Sequence, residues 1–427
     1  MTRSTRTPVA LFLFNRPDAT AQVMARIAAA RPSRLLLVAD GPRPSRPDDL
    51  ALCRAARAAA LNVDWPCEVS TLFADDNLGC GRRMATGLDW VFEQAEEAVV
   101  FEDDCVPEVS FFGFCDELLE RYRHDQRIGV ISGYNPLEEN GADGQGAADS
   151  YFFSRYSQTW GWASWRRVWR LFDHRLAALP DALSRGLMDD VFEEPHVRME
   201  WLRFFVTYGR NRDRLWDYQF SFAQMSQSLL SVIPSRSQVA NIGCARPDAT
   251  NAFAENVLGL VPSRPLDFPL RHPPFVVRSR AKDRRLEEIV YKIAPPRLGP
   301  LDEAASAALG VAAGLLAEDR LEEAERALIP RFQRSPDDPE ALRLLGLIRL
   351  RRGQVNDALS LIWKALAAAP DTWPWLAELA RIYARYGVTE VARDVCVAAL
   401  RLAPAEPELN ALCAALEENL RRTAAQT

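Results

Sequence analysis

No stretch of this 427-residue chain is apolar for long enough to cross a bilayer. Its longest hydrophobic runs, such as Pro8–Phe14 and Ala98–Phe101, fall far below the ~20 residues a spanning helix needs. Cysteine pairing is also missing. The eight cysteines form no Cys-x-x-Cys motif and the four histidines are scattered, which argues against a zinc site. A disulfide framework is not expected in a chain of this length, so the thiols read as small apolar groups of a reduced, cytoplasmic protein. There is no excess of positive charge: Lys plus Arg is 52, Asp plus Glu is 58, and the net charge is −6. Nucleic acid is therefore not the expected partner. Met1–Thr7 is basic and precedes an apolar stretch, but Asn15-Arg16-Pro17 follows with no small-residue cleavage site, so a buried first strand is expected rather than a signal peptide.

What the chain does have is alternation. Val9–Phe14 and Leu35–Ala39 are continuous apolar runs, as in strands buried on both faces. Cys67–Phe73 alternates as a third strand, and Ala98–Phe101 is a short fourth. Helical spacing over Ala19–Ala30, Asp48–Leu61 and Gly81–Glu97 separates them. This order predicts an α/β unit with a mostly parallel sheet and helices on both faces. Ligands of such sheets bind beyond the carboxyl ends of the strands, where Asn15, Asp40, Asn77 and Asp104 collect. A proline-rich stretch over 261–300 ends as a linker. Beyond it, Pro336, Pro370 and Pro404 are 34 apart, as are Gly353 and Gly387, and Ala324, Ala358 and Ala392. That period predicts a solenoid of paired helices resembling tetratricopeptide repeats, with Asp319 at the turn where the first unit lacks its glycine. The expected division is 1–290, a linker over 291–301 and repeats over 302–423.

The strongest local signal is Glu102-Asp103-Asp104 at the end of the fourth strand. Carboxylates this close repel one another unless a cation is present, and oxygen ligands in a partly open site suit Mg²⁺ or Mn²⁺. Taken alone, the triplet fits that role or the capping of a helix beginning near Ser110. Four of the eleven tryptophans, Trp160, Trp162, Trp165 and Trp169, lie in ten residues. They suit stacking on sugar faces or packing in a core.

Phe101-Glu102-Asp103-Asp104 followed by Pro107 and Phe111-Phe112 resembles the acidic metal motif of GT-A nucleotide-sugar glycosyltransferases. The layout is similar to the inverting N-acetylglucosaminyltransferase I type and to a bacterial group labelled hemolysin-like. Asn15-Arg16-Pro17, Val38-Ala39-Asp40-Gly41, Asn77-Leu78-Gly79, Trp160-Gly161-Trp162 and Trp216-Asp217-Tyr218 follow in the matching order over the first 290 residues. The resemblance implies a GT-A fold and metal-assisted transfer, with inversion, of a sugar from a nucleotide diphospho-sugar, expected to be UDP-linked, to a hydroxyl. It implies Asp104, with Asp103, as metal ligands. Asn15, Arg16, Asp40, Asn77, Arg82, Asp103 and Thr250 are implied as donor-binding residues, and Trp160, Trp162 and Trp216 as sugar-facing ones. Asp217 is implied as the general base; on its own it also reads as a helix cap. Asn251 departs from the histidine expected there. The acceptor is expected to be a glycan, a lipid-linked glycan or a protein, with a protein partner or the acceptor held on the repeats. Two other readings stand beside this one: a GT-A and repeat protein that binds without catalysis, and a nucleotidyltransferase. The latter lacks its Gly-rich basic loop after the first strand.

Overall fold

The computed structural model describes residues 4–137, 149–244 and 261–425. They form two compact units, one of residues 1–175 and 211–291, the other of residues 176–210 and 292–427. No helix of the described residues is long and apolar enough to cross a membrane.

The first unit is built on an eight-stranded mixed sheet. Strands β1 (Val9–Leu13), β2 (Arg34–Ala39), β3 (Glu68–Phe73) and β4 (Glu97–Glu102) are parallel. Strand β5 (Cys105–Pro107) leaves this sheet, while β6 (Ile128–Ser132), β7 (Tyr151–Ser154), β8 (Trp162–Trp165) and β9 (Leu230–Pro234) complete it. The order is β3-β2-β1-β4-β8-β6-β9-β7, with β8 antiparallel to both neighbours. Every residue of β1 is buried and β2 is buried from Leu35 on, so their unbroken apolar runs follow from cover on both faces. β3, at the sheet edge, is half exposed, which is why only this strand alternates in sequence. Helices α1 (Pro17–Ala30), α2 (Asp49–Leu61), α3 (Cys80–Gln94) and α4 (Val109–Tyr122) supply the cover. On α3, Met84, Leu88, Val91 and Phe92 form the buried stripe. The helix stops at Gln94 rather than Glu97, because Ala95 takes an extended backbone and Glu97 already pairs with Trp165 in the sheet. β5 pairs antiparallel with β10 (Val239–Asn241), a short ladder standing off the main sheet.

The second unit carries the repeats. Helices Leu321–Arg334, Val355–Ala368 and Thr389–Leu402 start 34 residues apart, and so do Pro339–Arg351, Trp373–Arg385 and Pro407–Ala424. Ala324, Ala358 and Ala392 are fully buried, and a Cβ on Gly346 would come within 2.9 Å of Ile362, so small residues permit the close helix contacts. Gly353 and Gly387 turn with φ of 77° and 76°. Asp319 adopts the same left-handed turn at φ 58°.

Residues 176–210 belong to this unit, whereas the sequence alone suggested an unbroken first domain to 290. Helices Leu179–Ser184 and Pro195–Arg203 pack on Thr389–Leu402 and Val355–Ala368 respectively. Their apolar residues Leu179, Leu183, Trp201 and Leu202 are buried. Ion pairs fasten the segment: Arg198 to Asp371 at 2.8 Å, Arg401 to Asp189, and Arg210 to Asp394 at 2.7 Å. The Asp394 side chain is fully enclosed. Burial pushes its carboxyl up while Arg210 and Arg393 pull it down. Asp394→Ala leaves two guanidiniums without their counter-charge and should cost about 3–5 kcal/mol, read in denaturant unfolding of the full chain.

Candidate active site

The chain leaves β1 toward β2 on one side, and β4 lies on the other, so the sheet reverses direction between β1 and β4. Loops diverge at such a switch point and leave a crevice beyond the strand ends. Phe12 is aligned with Glu102, so Phe14–Arg16 and Asp103–Asp104 emerge side by side. The Phe14 backbone N–H donates to Asp103 Oδ2 at 3.0 Å, and Arg16 Nη1 meets Asp104 Oδ2 at 2.8 Å. The β5–β10 ladder brings a second wall. The Ile242 N–H donates to the Asp104 carbonyl at 2.9 Å, and Asn241 Oδ1 accepts from the Gly243 and Cys244 N–H groups. A Cβ on Gly243 would lie 2.0 Å from Asp104 Oδ2, so any larger residue here must displace the carboxylate.

Asp217 arrives from a distant part of the chain. α3 is preceded by Gly79 at φ 79°. The Gly81 N–H donates to the Asp213 carbonyl at 3.1 Å, and a Cβ at Gly81 would lie 2.2 Å from the Arg212 carbonyl. This close backbone contact delivers 211–217 to the crevice. Asp217 is the first residue of helix Asp217–Met225, after Trp216. Its Oδ1 is buried without a hydrogen-bond partner. Burial pushes its carboxyl above the usual range, partly offset by bonds from the Asp217 and Tyr218 N–H groups. Glu102 is pushed up to about 8 by burial and then by Asp104, Asp103 and Asp217, with Arg16 opposing. The Cys80 thiol is raised by desolvation and by the charges of Glu102, Asp217, Asp40 and Asp104. Acids from three chain segments, the ends of β2 and β4 and the start of helix Asp217–Met225, therefore act on one point.

Asp40 has a different task from the ligand contact expected of it. Its carboxylate accepts from the N–H groups of Gly41, Leu78 and Gly79 at 2.9–3.1 Å and from Asn77 Nδ2 at 2.9 Å. Four donors fill its acceptor positions, so Asp40 ties the 77–79 loop to the end of β2 and has no place left for a ribose or base. Asn77 spends its amide on Asp40 and the Gly41 carbonyl. Asn15 bonds to Asp49, whose carboxyl Arg43 holds below the usual range. Sequence reasoning passed over Asp49 and Arg43; their six-residue separation across a proline-rich loop gave no sign that they pair. Arg82 is exposed on the first turn of α3, while Arg83 turns inward to the Leu72 carbonyl.

Two of the expected sugar-facing tryptophans lie in the core. Trp162 is 1% exposed and Trp216 4%, and their rings stack on each other at 5.8 Å, with Phe220 5.2 Å from Trp162. Their faces are covered by neighbours, so neither can stack on a sugar. Trp165 and Trp169 are also buried, at the end of β8 and in the short helix Arg166–Trp169. Trp160 is half-buried, 4.7 Å from the Tyr134 ring. Thr250 and Asn251 lie outside the described residues. Among the described residues no three His, Cys, Asp or Glu side chains converge as a preformed metal cage. The oxygen donors available to a cation are the adjacent carboxylates of Asp103 and Asp104.

No family model and no curated protein matches this chain. Among solved structures it is similar to PcrH in complex with the chaperone binding region of PopD. That match has 19% identity, covers 30% of this chain and 98% of that one, and has a TM-score of 0.25. It is also similar to the Yersinia enterocolitica type III secretion translocator chaperone SycD (15% identity, 30% and 88%, TM-score 0.26). A third is a T3SS complex from Aeromonas hydrophila (16% identity, 35% and 97%, TM-score 0.25). Scores this low carry no argument about fold or function.

Two outcomes test the geometry. Glu102 has a folded-state value raised from 4.5 to about 8, so its contribution to stability is complete below 4.5 and lost as pH rises through 8. Glu102→Gln has no proton to lose. Its unfolding midpoint should gain on wild type between about pH 5 and pH 8.5, by roughly 2–4 °C for each kcal/mol relieved. Gly243→Ala should cost about 1–3 kcal/mol by overpacking, and less than about 0.5 kcal/mol in an Asp104→Ala background, as a double-mutant cycle would show.

Proposed function

We propose that this protein is a metal-dependent inverting glycosyltransferase of GT-A type, cytoplasmic, fused to tetratricopeptide-like repeats. It would transfer a sugar from a nucleotide diphospho-sugar, UDP-linked in the expected case, to a hydroxyl. The observation that carries this reading is the shared field of Glu102, Asp104 and Asp217 at the switch point, with one Asp217 oxygen unpartnered. The mixed sheet with β8 reversed between β4 and β6 is compatible with the fold.

The donor set suits Mn²⁺ or Mg²⁺. It is all oxygen, with two adjacent carboxylates, and such ions complete their shell from phosphates and water. Asp104 and Asp103 would hold the ion, which when bound neutralises charge developing on the departing diphosphate. Arg16, beside Asp104, can fork onto a phosphate oxygen, and exposed Arg82 offers a second guanidinium at the start of α3. Asp40 and Asn77 act by holding that start in place. Asp217, its carboxyl raised by burial, would take the proton of the acceptor hydroxyl. Trp160 remains the aromatic that can face a sugar. On the repeats, a groove of about 510 Å³ lined by Arg343, Leu347, Trp375, Ile382 and Tyr386 offers a place for the acceptor or a protein partner.

The Arg16–Asp104 ion pair favours one other reading, a binding or scaffold protein in which the guanidinium permanently takes the cation's place. Hydrolysis of a panel of UDP-sugars with Mn²⁺ decides between them. Asp104→Ala should lose about 10²-fold or more of Mn²⁺-dependent turnover, and Asp217→Asn about 10²–10⁴-fold. Equal turnover in wild type and Asp104→Ala would refute the metal role. Nucleotide binding with no turnover would favour the scaffold.

A further inference from the structure

Phe275 is 75% exposed and Val277 69%, the most exposed large apolar side chains among the described residues. They flank Val276, which packs on the core of the first unit, and Phe275 stands at a bend. The segment is not loose. Ser150 and Arg271 exchange hydrogen bonds at 2.8 and 2.9 Å, Arg278 bridges to Phe153 on edge strand β7, and the Ser279 N–H donates to the Phe153 carbonyl at 2.8 Å. Two apolar side chains are thus held out into water by a fixed backbone, which marks an interaction surface.

Within 271–285 the exposed charges are all positive. Between 271 and 285 the exposed charged residues are Arg271, Arg280, Lys282, Arg284 and Arg285. The one acid in that stretch, Asp283, is buried; it accepts from Ser154 Oγ at 2.6 Å and pairs with Arg278 at 3.0 Å. Its charge is spent inside. Nearby Glu288 and Glu117 face Arg285 at 3.0 Å and His272 at 3.1 Å. A basic face stands here on a chain whose net charge is −6. Lys282 lies over the Phe152 ring at 4.5 Å, on edge strand β7.

We propose that the 273–285 face docks the protein on an anionic lipid surface, with Phe275 and Val277 entering the headgroup region and Arg280 and Lys282 meeting lipid phosphates. Exposed apolar side chains followed along the chain by exposed cations suit a soft, negatively charged plane. This inference is independent of the sugar-transfer reading.

Flotation of the full chain with phosphatidylcholine vesicles, with and without about 30% phosphatidylglycerol, tests it. Binding to the anionic vesicles should be about tenfold tighter or more and should weaken with salt. Phe275→Ser with Val277→Ser, and separately Arg280→Glu with Lys282→Glu, should each weaken it by about fivefold or more with an unchanged unfolding midpoint, since all four side chains are exposed. Equal binding to both vesicle types, no binding, or variants that bind like wild type would overturn the proposal. So would a dimer in sedimentation that Phe275→Ser abolishes while vesicle binding stays unchanged; the face would then contact protein.

Discussion

Carboxylates held together away from bulk water raise one another's free energy, and the crevice between β1 and β4 is built around that cost. Glu102 shows it: burial, and then Asp104, Asp103 and Asp217, push its carboxyl up to about 8 against the opposing Arg16. The Phe14 N–H, the Ile242 N–H and the bare Gly243 backbone all fix where Asp103 and Asp104 lie. The side chains are positioned by main chain, which is stiffer than any rotamer.

The acids divide by how completely the protein satisfies them. Asp40 and Asp49 are filled by backbone N–H groups, amides and Arg43, and they hold loops. Glu102 and Asp217 are raised by burial, and an Asp217 oxygen has no partner. A carboxylate with every acceptor position occupied is part of the scaffold. One left wanting a proton or a cation is available for chemistry. By this criterion the site centres on β4 and the start of helix Asp217–Met225, and the end of β2 serves as its support.

The second unit shows a similar economy. Its paired helices bury alanines against one another, and the outer faces of Val355–Ala368 and Thr389–Leu402 are closed by a segment from far upstream, fixed through Asp371, Asp394 and Arg401. Helices Pro339–Arg351 and Trp373–Arg385 keep an open groove. The repeats are thus completed on one side and available on the other.

Local properties were legible from residue order alone. Unbroken apolar runs identify β1 and β2 because strands covered on both faces need no polar side. A 34-residue period identifies the helix pairs because each unit must bury the same face. Three acids closing β4 mark the crevice. Tertiary structure decided what depends on partners distant in the chain. It buried Trp162 and Trp216 by stacking their rings on each other, although an exposed tryptophan would carry the same letter. It filled Asp40 from a loop 37–39 residues downstream. It also moved 176–210 to the second unit, since an amphipathic helix shows which face needs cover but not which surface will supply it.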